Sequence, residues 1–248
     1  MSGIRKLVGG AVLNNAEKDY RKAKKIVKYM LGIPAERVEY YISDRQKLIY
    51  LVNSKVACTS IKKVMLDNDG ISFAGAGDYD VHTLARTSSR ISFELGSKPE
   101  GYKLFTMVRN PFTRVLSAYI NKFRDFEKIE KMGFEYEDYL GGVFTLEDSF
   151  ETFVDKVCEI PDKYADRHFV SQYYWIFERS ALEMDFVGKL ELEDDVARLV
   201  EMTGFSALPR MNSTRSYELN DYYQPAVIDK IIKRFKKDFA EFSYDYPG

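Results

Sequence analysis

Two short and almost wholly apolar runs, Leu48-Ile49-Tyr50-Leu51-Val52 and Leu104-Phe105-Thr106-Met107-Val108, constrain the fold most. A strand that is apolar at nearly every position must be covered on both faces, as parallel strands are when they lie between two layers of helices. Each run leads into a polar loop and then into a helical pattern. The first continues as Asn53-Ser54-Lys55-Val56-Ala57-Cys58-Thr59-Ser60 and a helix with Ile61, Val64 and Met65 inward, ending near Gly70. The second continues as Arg109-Asn110-Pro111, where Asn110 is suited to the N-cap and Pro111 to the first helical position. Its helix turns Val115, Leu116, Tyr119, Ile120 and Phe123 inward. A third repetition runs from Phe186-Val187-Gly188 into a helix with Val196, Leu199 and Val200, closed by Gly204. Strands alternating with helices predict an α/β fold of three layers, P-loop-like, with a central mainly parallel sheet flanked by helices.

The spacing predicts further helices over 146–160, opened by the pair Thr145 and Asp148, and over 226–242, opened by Pro225. Residues 1–45 are lysine-rich and carry Ala11, Val12, Tyr20, Ile26, Val27, Met30 and Leu31 at roughly helical intervals before Gly32 and Pro34. They read as a helical N-terminal extension whose charges form a solvated face. With no internal repeat and no low-complexity linker, 1–248 is expected to be a single domain.

Charge excludes one class of function. Lys plus Arg number 37 against 38 for Asp plus Glu, a net charge of −1, so no excess positive field would hold a nucleic acid. Two cysteines, Cys58 and Cys158, and two histidines, His82 and His168, make neither a disulfide framework nor a zinc ligand set. No stretch approaches the roughly 18 apolar residues of a membrane span, and the N-terminus has too short an apolar run for a signal peptide. A cytoplasmic location is the expectation.

In open α/β sheets ligands sit beyond the carboxyl ends of the strands, so the chemistry belongs to the loops after Val52 and Val108. The first places Lys55 and the hydroxyls of Thr59 and Ser60 at the start of a helix, where free backbone N–H groups and the dipole favour a phosphate or sulfate. This is the logic of a P-loop without its sequence, because the segment contains no glycine; a plain capped helix is the alternative. The second loop offers Arg109 and, eight residues later, Ser117, which shares a helix face with Arg114 and Asn121. That pair would suit a second anion, the alternative being an arginine paired with a surface carboxylate.

Together these loops resemble those of the sulfotransferases that use 3'-phosphoadenosine 5'-phosphosulfate (PAPS). Residues 47–64 are similar to that family's 5'-phosphosulfate loop, and 105–123, with Val108-Arg109-Asn110-Pro111 and Leu116-Ser117-Ala118-Tyr119, to its 3'-phosphate motif. Asp185-Phe186-Val187-Gly188-Lys189-Leu190-Glu191 and Asn212-Ser213-Thr214-Arg215 resemble the carbohydrate branch, of chondroitin and HNK-1 type, as does Asp238-Phe239 with Phe242 and Tyr244. The resemblance implies that Lys55, Ala57, Cys58, Thr59 and Ser60 wrap the 5'-phosphosulfate, that Arg109 and Ser117 bind the 3'-phosphate, and that Arg215 approaches the same molecule. The chain departs from the family at Ser54, where a proline usually precedes the lysine, and at Leu190, where many relatives carry a tyrosine against adenine.

The implied reaction is a metal-independent, in-line transfer of the sulfuryl group from PAPS to an acceptor hydroxyl, that of a carbohydrate. Lys55 would stabilise charge on the leaving phosphate, and a histidine would take the hydroxyl proton. His82, between the two motifs where related enzymes carry their base, ranks ahead of His168, which resembles a His-aromatic pair of the carbohydrate branch. Tyr164, Phe169, Tyr173, Tyr174, Trp175 and Phe177 read either as core or as a sugar platform. Two other functions stay open: a nucleotide-dependent kinase, disfavoured by the missing Walker glycines, and a binding protein that keeps the pocket without turnover. Relatives in this branch are commonly Golgi enzymes with a membrane anchor, so a trimmed form of such an enzyme is the alternative to a cytoplasmic one.

Overall fold

The computed structural model describes residues 27, 30–34, 36–71, 78–88, 90–93, 95–124, 143–208 and 219–245. Five strands form one sheet in the order β3-β1-β2-β4-β5: β1 Glu39–Ser43, β2 Leu48–Leu51, β3 Ile91–Phe93, β4 Lys103–Val108 and β5 Phe186–Lys189. At its centre β2 pairs with β4, and β4 with β5, in parallel. The other edge is antiparallel, β1 lying between β2 and β3. The sheet is therefore mixed, and its parallel half carries the loops identified from sequence.

The apolar runs divide by alternation, as strands buried on both faces must. In β2, Ile49 and Leu51 join one core, with Val108, Phe112, Val115 and Phe153. Leu48 and Tyr50 join the other, with Ile61, Met65, Phe105 and Leu199. The helices segregate accordingly. On the first face lie α3 (Pro111–Tyr119), α4 (Phe150–Glu159), α6 (Pro225–Arg234) and α7 (Lys236–Phe242); on the second lie α1 (Cys58–Asn68), α2 (Asp78–Thr87) and α5 (Glu193–Thr203).

The helix after β2 thus leaves toward one face and the helix after β4 toward the other. Because these strands are neighbours, their exit loops lie side by side at the carboxyl end of the sheet, where a crevice between such loops is the usual ligand position.

Three expectations need correction. The helical reading of 1–45 fails at its end, because Glu39–Ser43 is strand β1, paired on both sides; residues 1–26 lie outside the described residues. The helix expected from 146 starts at Phe150 and is capped by Ser149 Oγ, which accepts from Thr152 N at 3.1 Å. Asp148 instead closes a local turn, accepting from Thr145 N at 3.0 Å, and binds Lys156. The helix expected over 226–242 is two, α6 and α7, broken at Phe235 (φ −107°, ψ 25°).

Candidate active site

The first loop takes, without a glycine, backbone conformations that glycine usually supplies. Lys55 and Ala57 both take left-handed conformations, φ 66° and 52°, a strained choice for residues with a Cβ. Ala57 is the N-cap of α1 and has no side-chain oxygen, so no side chain caps the helix, and its first turn holds no acidic residue. A helix start without a cap or a carboxylate, followed by Cys58, Thr59 and Ser60, fits an anionic group. Lys55 Nζ donates to Asn121 Oδ1 at 2.5 Å. Asn121 belongs to a π-helical stretch, Ile120–Arg124, that continues α3.

The second loop is built differently. Asn110 Oδ1 accepts from Phe112 N at 3.0 Å, so α3 is already capped and an anion there would depend on side chains. Arg109 supplies the cation. Its Nε donates to Thr113 Oγ1 at 3.0 Å and its Nη1 to the Lys55 carbonyl at 3.3 Å, which joins the two loops directly. Burial lowers its pKa and Glu191 opposes that, leaving the guanidinium charged. Ser117 is half-buried on α3, one helical turn before Asn121.

Arg114, expected on the face shared with Ser117 and Asn121, proves to be a brace. It is buried, and it donates to the carbonyls of Ser54 (3.1 Å), Val170 (2.6 Å) and Arg167 (3.1 Å) and to Asn53 Oδ1 (3.3 Å). One guanidinium therefore ties the Lys55 loop to the segment that bears His168.

The two histidines differ in setting. His82, on α2, has Nε2 at 3.3 Å from Thr59 Oγ1 and Nδ1 at 3.3 Å from Lys62 Nζ. Burial and the adjacent ammonium push its pKa down to about 4. His168 has Nδ1 at 2.5 Å from Asp166 Oδ1, and the same oxygen accepts from the His168 backbone N–H at 2.9 Å. Its pKa is lowered by burial first and then by Lys122 and Lys55, against the raising effect of Asp166. Both shifts favour the neutral ring, but among the described residues only His168 is oriented by a carboxylate, with Nε2 left for chemistry.

Sequence reasoning missed the polar network beneath these loops. Glu39 and Lys62, each 1% exposed, form an ion pair, and Arg167 Nη1 adds a contact to Glu39 at 2.9 Å. Gln172 and, on α7, Asp238 are fully buried, and Glu191 accepts from Asn110 N at 2.8 Å and from Tyr244 OH at 3.0 Å. Asp238, Glu191 and Tyr244 lay in stretches singled out from sequence. Gln172 lay within the aromatic stretch 164–177, and Lys62 had no local signal. Of the aromatics over 164–177, Phe169 and Trp175 are core, Trp175 Nε1 donating to the Val52 carbonyl at 3.0 Å, whereas Phe177 is exposed. Arg215 and the stretch 212–215 lie outside the described residues.

A profile of the sulfotransferase family matches residues 38–245, from just before β1 to just after α7. The chain belongs to the sulfotransferase family. It is 28% identical to carbohydrate sulfotransferase 12 of Xenopus laevis (87% of this chain, 62% of that protein). It is 27% identical to carbohydrate sulfotransferase 14 of Mus musculus (84% and 60%) and 25% identical to carbohydrate sulfotransferase 11 of Rattus norvegicus (87% and 69%). These similarities bear out the carbohydrate branch. No solved structure matches the chain significantly.

The chain spans about three-fifths of the length of the first two of these relatives. The cytoplasmic expectation is overturned here. It rested on the lack of an anchor, but the similar proteins are carbohydrate sulfotransferases, the branch in which anchored Golgi enzymes are common. Among the described residues no helix is long and apolar enough to cross a membrane.

Proposed function

We propose that this chain transfers the sulfuryl group of PAPS to a hydroxyl of a carbohydrate, with 38–245 acting as one catalytic domain. The observation that carries this reading is the contact of Arg109 Nη1 with the Lys55 carbonyl, which sets two cation-bearing loops side by side at the ends of β2 and β4. Lys55 and the uncapped start of α1, with Ala57, Cys58, Thr59 and Ser60, hold the 5'-phosphosulfate; Arg109 and Ser117 hold the 3'-phosphate. Arg215 is kept as a further contact on resemblance alone.

Bound PAPS supplies an activated sulfuryl group whose leaving group is a phosphate. As the acceptor oxygen bonds to sulfur and the bond from sulfur to the 5'-phosphate oxygen breaks, Lys55 neutralises charge growing on that oxygen. The acceptor proton passes to His168 Nε2, while Asp166 holds Nδ1 and stabilises the imidazolium. Burial and Lys122 depress the His168 pKa most and Lys55 least, so an anion beside Lys55 would offset only that last, smaller part. His82 supports the loop through Thr59.

The test is transfer of radiolabelled sulfate from PAPS to a panel that includes desulfated chondroitin. Labelled polysaccharide is expected, with His168→Asn slower by about 10²–10⁴-fold and His82→Asn by less than about tenfold. A larger loss in His82→Asn would return the base to His82, and no transfer to any carbohydrate would contradict the acceptor class.

A further inference from the structure

Arg109 stands one residue beyond the end of β4, where no backbone neighbour on the β2 side continues the sheet. Its peptide groups are nevertheless paired. Gln172 Oε1 accepts from Arg109 N at 2.9 Å, and Gln172 Nε2 donates to Arg109 O at 2.7 Å. The side-chain amide grips the residue as a neighbouring strand would, through its N–H and its C=O together. The same Oε1 accepts from Asn53 Nδ2 at 3.1 Å, and Asn53 Nδ2 also reaches the Met107 carbonyl at 3.0 Å.

Gln172 is itself held in place. Its backbone N–H donates to Asp238 Oδ2 at 2.9 Å and that of Tyr173 to Asp238 Oδ1 at 2.8 Å, so a carboxylate on α7, wholly buried, fixes the turn from which the amide projects. Two braces result, and they meet at Asn53, whose amide donates to Gln172 and accepts from Arg114. Arg114 holds the Lys55 loop through Ser54 O and Asn53 Oδ1, and Gln172 holds Arg109.

We infer that Gln172, backed by Asp238, is a positioning residue for recognition of the 3'-phosphate: by fixing the Arg109 peptide it aims the guanidinium at that phosphate, leaving the 5' side to Arg114. This rests on the reading of Arg109 as the 3'-phosphate ligand. A residue with a merely structural role would weaken every ligand of the crevice alike, whereas this one governs the preference for a 3'-phosphate.

Calorimetric titrations of adenosine 3',5'-bisphosphate and of AMP, which lacks the 3'-phosphate, separate these cases. In Gln172→Met, a near-isosteric change that removes both bonds to Arg109 and the one from Asn53, the preference for the bisphosphate is expected to fall about tenfold, the worth of one or two net hydrogen bonds, with AMP affinity within about twofold. Gln172→Asn, which keeps an amide but withdraws it by one methylene, is expected to show a smaller loss in the same direction and serves if the methionine variant does not fold. An unchanged preference, or equal weakening of both ligands, would overturn the assignment of Gln172. A wild-type chain that binds the two ligands equally would overturn the reading of Arg109 beneath it.

Discussion

In the role proposed for it, Lys55 is the residue on which rate should depend most, because its charge would matter more as the leaving oxygen becomes an anion than in the ground state. Lys55→Ala is expected to slow sulfate transfer about 10²–10³-fold in a protein that still unfolds cooperatively. A second expectation concerns Asp166. Its carboxylate raises the His168 pKa, while burial and Lys122 lower it. Asp166→Asn should therefore move the acid limb of the pH–rate profile to lower pH and, by loosening the tautomer and orientation of the ring, reduce the plateau rate about a hundredfold or more. A limb that moved upward would contradict the dyad. Residue types at this scale were legible in the sequence wherever a local pattern carried them, as at Lys55 and Arg109. The carboxylate that singles out His168 is only two positions away, yet contacts of that kind depend on a turn that periodicity does not reveal.

At the scale of elements, β1 was hidden because Glu39-Tyr40-Tyr41-Ile42-Ser43 opens with a glutamate, a poor strand former that here is buried against Lys62 of α1 and Arg167. Neither partner is near it in sequence. The pair has a measurable consequence. Burial favours the neutral acid, but Lys62 and Arg167 outweigh it and hold the Glu39 pKa at about 2, against the usual 4.5. Glu39 thus binds a proton more readily when unfolded, so its stabilisation, about 3 kcal/mol, is complete above pH 4.5 and is lost as pH falls through 2. Denaturant titrations across that window should show the slope in the wild-type chain and its loss in Glu39→Gln. The strained cradle gives a second expectation. Ala57→Val places a β-branched residue at φ 52° and should cost about 1–3 kcal/mol in the same titrations, whereas Ala57→Gly should not destabilise.

For the whole molecule, the three-layer α/β arrangement was readable because each strand, loop and helix unit announces itself within about 20 residues, through apolar runs, Asn110-Pro111 and the closing Gly204. The supports of the site were not readable. Gln172, Asp238 and Arg114 lie in stretches the sequence marks, but they act across separations of 63 residues or so, counted from Arg109 to Gln172, and no local pattern reveals which groups they hold. The crevice between the β2 and β4 loops is what joins these parts, and the central claim is that it receives a nucleotide carrying both 5' and 3' charges. The most direct test is thermal unfolding with adenosine 3',5'-bisphosphate beside AMP, for the wild-type chain and Arg109→Ala. A ligand that binds only the folded chain at about 100 times its Kd adds about 2.7 kcal/mol, a rise of several degrees. The account predicts that rise for the bisphosphate with the wild-type chain, a smaller one for AMP, and near equality of the two in Arg109→Ala. Equal shifts for both ligands in the wild-type chain, or a bisphosphate shift that survives Arg109→Ala unchanged, would contradict it.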